Sequence, residues 1–141
     1  MQIKVKLVKD GVMPKIQKDG DVCFDCCARL DAEKLVIGRG NRAKVPLGFA
    51  IELPYGYEAV MRPRSGLTSK GVDNGIGTID AGYRGEVCAI VINNSASEFV
   101  VKNGDRICQM AIREVPFIEL VQTDELSETE RGSTGFGSSG V

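Results

Sequence analysis

In the run Arg62-Pro63-Arg64-Ser65-Gly66-Leu67, Arg64 and Ser65 stand at the start of the one stretch with helical character, Ser65 to Gly71. A guanidinium and a hydroxyl beside a helix N-terminus, where backbone N–H groups are free, suit a phosphate. The same pair also suits a plainer arrangement, with Arg64 paired to a surface carboxylate and Ser65 capping the helix. Further along, Asn74-Gly75-Ile76-Gly77-Thr78-Ile79-Asp80-Ala81-Gly82-Tyr83-Arg84-Gly85-Glu86 reads as a hairpin whose glycines let the backbone approach a ligand closely, with Asp80 and Tyr83 at its far end. A lone aspartate in such a place is ordinarily a turn residue. The C-terminal run from Arg131 to Val141 sets one arginine and one phenylalanine, Phe136, among glycines and serines. Taken alone it reads as a disordered tail, yet those two side chains could supply a charge clamp and a stacking face on a mobile backbone.

The chain contains no histidine. Ser-His-Asp and Cys-His nucleophile systems are therefore excluded, and a general base has to be a carboxylate. Five cysteines, an odd number without the spacing of a disulfide framework, point to a reducing compartment, and the cytoplasm is the expected location. Cys23 and Cys26 form a C-x-x-C pair with Cys27 beside it, but no second pair and no histidine complete a zinc site. These cysteines read instead as small apolar side chains on a buried strand.

The 141 residues, 43% hydrophobic, make one domain with a real core. A net charge of -1 supplies no global positive field for a nucleic acid polymer or an anionic membrane, so an anionic partner needs a local site. No apolar run approaches the length of a membrane span. Short, turn-bounded, β-branched segments dominate: Ile3 to Val8, Val22 to Ala28, Lys34 to Ile37, Ala43 to Val45, Phe49 to Leu53 and Tyr57 to Arg62. They continue through Ile76 to Ile79, Glu86 to Asn93, Glu98 to Val101, Arg106 to Glu114 and Phe117 to Val121. The expectation is an all-β core over residues 1–122, followed by a polar, Gly-rich arm over 123–141 that cannot fold by itself.

Five segments in order carry a specific resemblance. They are Asp21-Val22-Cys23-Phe24-Asp25-Cys26-Cys27-Ala28, Pro63-Arg64-Ser65-Gly66-Leu67, Ile79-Asp80 with Tyr83 and Gly85, Gly104-Asp105-Arg106-Ile107 with Gln109, and Arg131-Gly132 with Gly135-Phe136-Gly137-Ser138. From about residue 21 to the C-terminus the chain resembles the homotrimeric dUTPase family. The first segment departs from the family pattern in Val22, Cys23 and Cys26, while Asp25 is retained.

The resemblance implies a distorted, β-clip-like jelly roll in which three chains exchange arms and build shared sites at their interfaces. It implies hydrolysis of dUTP to dUMP and pyrophosphate, with Asp80 activating a water for attack on the α-phosphorus and Mg²⁺ on the triphosphate. That reaction keeps uracil out of DNA and supplies dUMP for dTMP synthesis. By the same resemblance Arg64, Ser65, Gln109, Arg131 and Ser138 hold phosphates, and Asp25 belongs to the acidic group near the metal, acting through water. Asn74, Gly77, Thr78 and Ile79 form the uracil slot, Tyr83 packs on the deoxyribose, and Phe136 stacks on the base. The arm closes over the site as a lid. Two other readings remain: a dCTP deaminase-like enzyme, whose family carries a glutamate where this chain has Ile90, and a nucleotide-controlled regulatory protein with a protein partner.

Overall fold

A computed structural model of the chain describes residues 1–135. Eleven strands and one helical turn follow each other: β1 (Lys4–Leu7), β2 (Phe24–Cys27), β3 (Lys34–Ile37), β4 (Arg42–Pro46), β5 (Phe49–Glu52), β6 (Tyr57–Arg62), α1 (Ser65–Thr68), β7 (Val72–Asn74), β8 (Gly77–Ile79), β9 (Cys88–Asn93), β10 (Phe99–Lys102) and β11 (Arg106–Glu114). All pairings are antiparallel. They form a four-stranded sheet in the order β2-β11-β6-β8, a three-stranded sheet β4-β9-β7, and the pairs β1-β5 and β3-β10. This is the all-β architecture that the strand pattern predicts, of the jelly-roll type that the resemblance implies.

One core joins these sheets. In β9 the side chains of Ala89, Val91 and Asn93 turn inward and Ile90 outward, the two-residue period of a strand with one wet face. β6 lies between β11 and β8 and buries Ala59, Val60 and Met61 in succession. Phe49, Leu47, Ile51, Met110, Val45 and Val91 fill the centre. Asn93 is the polar exception there. Its amide nitrogen donates to the carbonyls of Ile37 and Ser97, both at 2.8 Å, and its oxygen accepts from the backbone and hydroxyl of Ser95. A buried amide so fully engaged ties the end of β9 to β3.

Three sequence expectations are corrected. Phe117 to Val121 forms no strand: it is exposed, with Phe117 97% accessible, and no segment among the described residues offers it a ladder. A β-branched run becomes a strand only when a partner edge satisfies its backbone. Val72–Asn74 is a strand that the short, polar-interrupted run Val72-Asp73-Asn74 did not announce. The stretch from Asn74 onward is also not a hairpin, because β7 pairs with β9 while β8 pairs with β6. Gly75 and Ile76 carry the chain from one sheet to the other, and the Gly75 N–H donates to the Ile90 carbonyl at 2.8 Å.

Asn93→Ala takes the amide donor from the buried Ile37 carbonyl and the acceptor from the Ser95 N–H, while the exposed Ser97 carbonyl keeps the Ser95 hydroxyl. It should lower unfolding stability by about 2 to 4 kcal/mol, read as a reduced urea midpoint at unchanged slope.

Candidate functional site

The segments singled out in the sequence meet along β11. Its antiparallel partner β2 sets Asp25 opposite Gln109, and β6 sets Arg62 opposite the same residue. Arg106 and Gln109 are three apart, so on a regular strand they would face opposite sides. Between Arg106 and Cys108 the register against β2 slips by one residue. This bulge at Ile107 brings Arg106 round to the side of Asp25 and Gln109 while Ile107, Cys108 and Met110 stay in the core. The turn before β11 is stitched to the end of β2: Gly104 N–H donates to the Ala28 carbonyl at 2.8 Å, and Leu30 N–H to the Asn103 side chain at 3.0 Å. Gly104 has φ +83, a conformation glycine adopts at little cost.

On that face Asp25 stands between two guanidiniums, Arg64 Nε at 3.3 Å and Arg106 Nη1 at 3.2 Å. Arg64 also donates through Nη1 to the Arg106 carbonyl at 2.8 Å, and Gln109 Nε2 donates to the Pro63 carbonyl at 2.8 Å. The pairing of Arg64 with a carboxylate, foreseen as the plainer arrangement, is thus present. Ser65 does not cap the helix: Arg64 is the N-cap residue, no side chain caps it, and α1 is a single turn. So short a helix contributes little dipole, and the guanidiniums are the principal source of positive charge for an anion here. Asp25, Arg64, Ser65, Arg106 and Gln109 line a polar cavity of about 670 Å³, with Lys18 and Cys23 on its rim loop. Arg106 and Lys18 were not singled out as site residues. Arg106 lies inside the fourth segment, but only the bulge reveals where it points.

A second group forms at β8, the edge strand of the four-stranded sheet. Gly77, Thr78, Ile79 and Tyr83 line a cavity of about 400 Å³ with Lys44, Met61, Glu86, Val87 and Cys88. Because β8 pairs only with β6, half of its backbone N–H and C=O groups face outward, ready to read a ligand edge. Asn74, at the end of β7, is 3% exposed, and its side-chain oxygen has no hydrogen-bond partner while its amide nitrogen donates to the Gly75 carbonyl at 2.8 Å. An unpaired buried acceptor is costly and marks a place where a ligand or water donor is wanted.

Asp80 follows β8 in the turn Asp80-Ala81-Gly82-Tyr83, closed by Tyr83 N–H donating to the Asp80 carbonyl at 3.0 Å. Its exposed carboxylate joins no hydrogen bond or ion pair among the described residues, whereas Glu58 in the same cavity is held by Arg113 at 2.6 Å. The Tyr83 hydroxyl donates to the Glu86 carbonyl at 3.0 Å. Its ring lies over Gly85, where an added Cβ would come within 2.6 Å of the ring carbon that bears the hydroxyl.

Within one chain, therefore, the Arg64 group and the Asp80 group line separate cavities. Arg131 joins neither: it is exposed, and its Nε donates to the Thr134 carbonyl at 3.1 Å. Phe136 and Ser138 lie outside the described residues. Among the described residues no three His, Cys, Asp or Glu side chains converge on a point, and both oxygens of Asp25 already face guanidiniums. That donor set fits a divalent ion carried on a polyphosphate with its waters, and does not fit an ion held in a protein cage.

The thiols on β2 are not reactive partners of this site. The hydrogen bond with Cys108, then burial, pushes the Cys26 thiol far above its ordinary value, and burial pushes up Cys27 and Cys88. No helix among the described residues is long and apolar enough to cross a membrane.

A family model described as dUTPase matches residues 9–140. A protein of Caulobacter vibrioides named deoxyuridine 5'-triphosphate nucleotidohydrolase is 42% identical over 136 residues, covering 94% of this chain and 88% of the relative. One of the same name from Gloeothece citriformis is 46% identical over 145 residues, covering 100% and 98%. Among solved structures, that of the Staphylococcus bacteriophage 80alpha dUTPase with dUPNHPP superposes with a TM-score of 0.90 at 28% identity, over 99% of both chains.

The raised thiols set the sign of the alkaline response. A thiol held protonated in the fold adds stability that is fully present below its unfolded pKa of 9.0 and is lost as pH rises beyond it. Urea midpoints should therefore fall between pH 8 and pH 10.5. Iodoacetamide at pH 7.5 should label Cys23 in the native protein but reach Cys26 and Cys108 only after unfolding.

Proposed function

From the premise that this chain belongs to the dUTPase family, hydrolases of dUTP, we propose that its Asp80 carboxylate activates the attacking water in an Mg²⁺-assisted cleavage of dUTP to dUMP and pyrophosphate. The observation that carries this reading is the unengaged carboxylate of Asp80 directly after edge strand β8, in a protein with no histidine to serve as base. A water oxygen forms a bond to the α-phosphorus as the bond from that phosphorus to the bridging oxygen of the β-phosphate breaks. Asp80 takes the proton, and pyrophosphate leaves. Asp25 would hold Mg²⁺ through water, and the ion would supply charge neutralisation to the triphosphate.

Arg64 spends Nε and Nη1 on Asp25 and the Arg106 carbonyl, which leaves Nη2 for a phosphate oxygen. Gln109 keeps one of its two amide hydrogens for the same purpose, its other being given to Pro63. Ser65 adds a hydroxyl, while Arg131 and Ser138 reach the outer phosphates when the arm closes. Anchoring these side chains to backbone before the substrate arrives lowers the cost of ordering them.

The uracil is read by the outward backbone groups of Gly77, Thr78 and Ile79, with the orphaned oxygen of Asn74 wanting a donor from the base side. Fixed backbone donors and acceptors that match uracil are mismatched by cytosine. Tyr83 packs on the deoxyribose and excludes a 2′-hydroxyl, and Phe136 stacks on the base.

Three chains complete each site. Separation of the Arg64 and Asp80 groups within a single chain supports this, as does the exposed apolar run of Phe117, Ile118, Leu120 and Val121, suited to a partner surface. Residues 1–122 form the core and 123–141 the closing arm. The five free thiols suit the reducing cytoplasm.

With Mg²⁺, the protein should convert dUTP, and not dCTP, dTTP or UTP, to the monophosphate and pyrophosphate. Asp80→Asn should lower kcat by about 100-fold or more at near-normal stability. Deamination of dCTP, or an unimpaired Asp80→Asn enzyme, would sink the reading.

Sharing of the site has its own test. Asp80→Ala and Arg131→Ala chains, each inactive alone, should recover activity when co-assembled, and verified mixed trimers with no recovery would refute it.

A further inference from the structure

Arg29 is the one buried charged residue among the described residues, at 5% exposed, and it belongs to none of the five segments. A buried guanidinium is retained only where its pairing is good, and an apolar side chain of similar length would serve packing alone as well. Its Nη1 donates to Asp31 at 2.6 Å, a carboxylate that also meets Lys9, and its Nε faces Glu86 Oε1 at 3.5 Å. The Nε has no hydrogen-bond partner among the described residues, and Glu86 is the carboxylate it faces in an ion pair.

Glu86 is the junction between Arg29 and the second cavity. Its carboxylate accepts the Gly48 N–H at 3.1 Å, and its backbone carbonyl accepts the Tyr83 hydroxyl at 3.0 Å. Val87 next to it exchanges backbone hydrogen bonds with Leu47 and Phe49, at 3.0 and 2.8 Å. Gly48 has φ +71, and a Cβ there would stand 2.5 Å from Gly11 Cα and 3.0 Å from the Arg29 stem. The Gly48 corner that receives Glu86 is thus packed hard against Arg29, and little can move between the guanidinium and Tyr83.

We propose that Arg29 is a positioning residue which, through Glu86, holds Tyr83 in its place on the wall of the β8 cavity and so sets the preference for a deoxyribose over a ribose nucleotide. The inference rests on the reading that Tyr83 packs against the sugar. Arg29 touches no substrate. Removing its charge leaves the Glu86 carboxylate on the Gly48 N–H alone, loosens the Glu86 backbone so that the Tyr83 hydroxyl can leave its carbonyl, and opens room for a 2′-hydroxyl.

The test compares steady-state turnover of dUTP and UTP, with Mg²⁺, by the wild type and by Arg29→Met, Arg29→Lys, Glu86→Gln, Tyr83→Ala and Asp31→Asn. Arg29→Met and Glu86→Gln should each reduce the ratio of kcat/KM for dUTP over UTP by about tenfold, mainly through a raised kcat/KM for UTP, with kcat for dUTP changed less than about threefold. Arg29→Lys should recover most of the ratio, and Asp31→Asn should keep it. In a Tyr83→Ala background Arg29→Met should cost no further selectivity, since the two act through one contact. If Tyr83→Ala keeps the wild-type ratio, the sugar-contact reading itself fails and takes this inference with it. If Tyr83→Ala loses the ratio while Glu86→Gln keeps it, only the inference is overturned. Should Arg29→Met fail to fold, Glu86→Gln and Arg29→Lys still decide between these outcomes.

Discussion

Strand β11 is hydrogen-bonded along both edges, to β2 on one side and β6 on the other, and the rest of the structure hangs on that double pairing. It supplies the core side chains Ile107, Cys108 and Met110 from one face. From the other it presents Arg106 and Gln109 to Asp25. One inserted residue makes both jobs possible, because a regular strand would have sent Arg106 to the opposite side. The bulge thus converts a packing element into a charge cluster, and the regular ladder to β6 begins just after it, at Gln109.

That cluster is pre-set by contacts that need no ligand. Arg64 and Arg106 share Asp25, and Arg64 and Gln109 each give a hydrogen bond to backbone. Side chains held this way surrender less freedom when an anion arrives. Asp80 obeys the opposite logic. It is exposed in a tight turn with its carboxylate uncommitted, the state a proton acceptor needs. The pairing of Glu58 with Arg113 in the same cavity underlines the contrast. The two groups therefore have opposite environments, in separate cavities of one chain.

Edge strands are ordinarily a liability, since unpaired backbone groups invite association. Here β8 is three residues long and its residues line a cavity, which limits that risk. The exposed apolar run after β11 is a different matter. Phe117, Ile118, Leu120 and Val121 have the composition of a strand and no ladder to join, so composition and local environment disagree there. Such disagreement is expected where a segment's backbone partners are not in its own chain.

Much of the fold was legible in the sequence because local pattern carries it. The two-residue period, the β-branched runs and the turn glycines located ten of the eleven strands, and the missing histidines limited any base to a carboxylate. The order of five short segments carried the family. What the sequence could not decide was which strand lies beside which. Asp25 and Gln109 are neighbours through a ladder that spans most of the chain, and periodicity reports which face a strand buries without naming its partner. For that reason the supposed hairpin after Asn74 became a crossing between sheets, Val72–Asn74 passed unnoticed, and Arg29 gave no local sign of its link to Tyr83. Residue types and their local order were determined by sequence alone. The facing of Arg106, the freedom of Asp80 and the division of these residues among three cavities were decided by tertiary structure, because each depends on backbone hydrogen bonds between residues far apart in the chain.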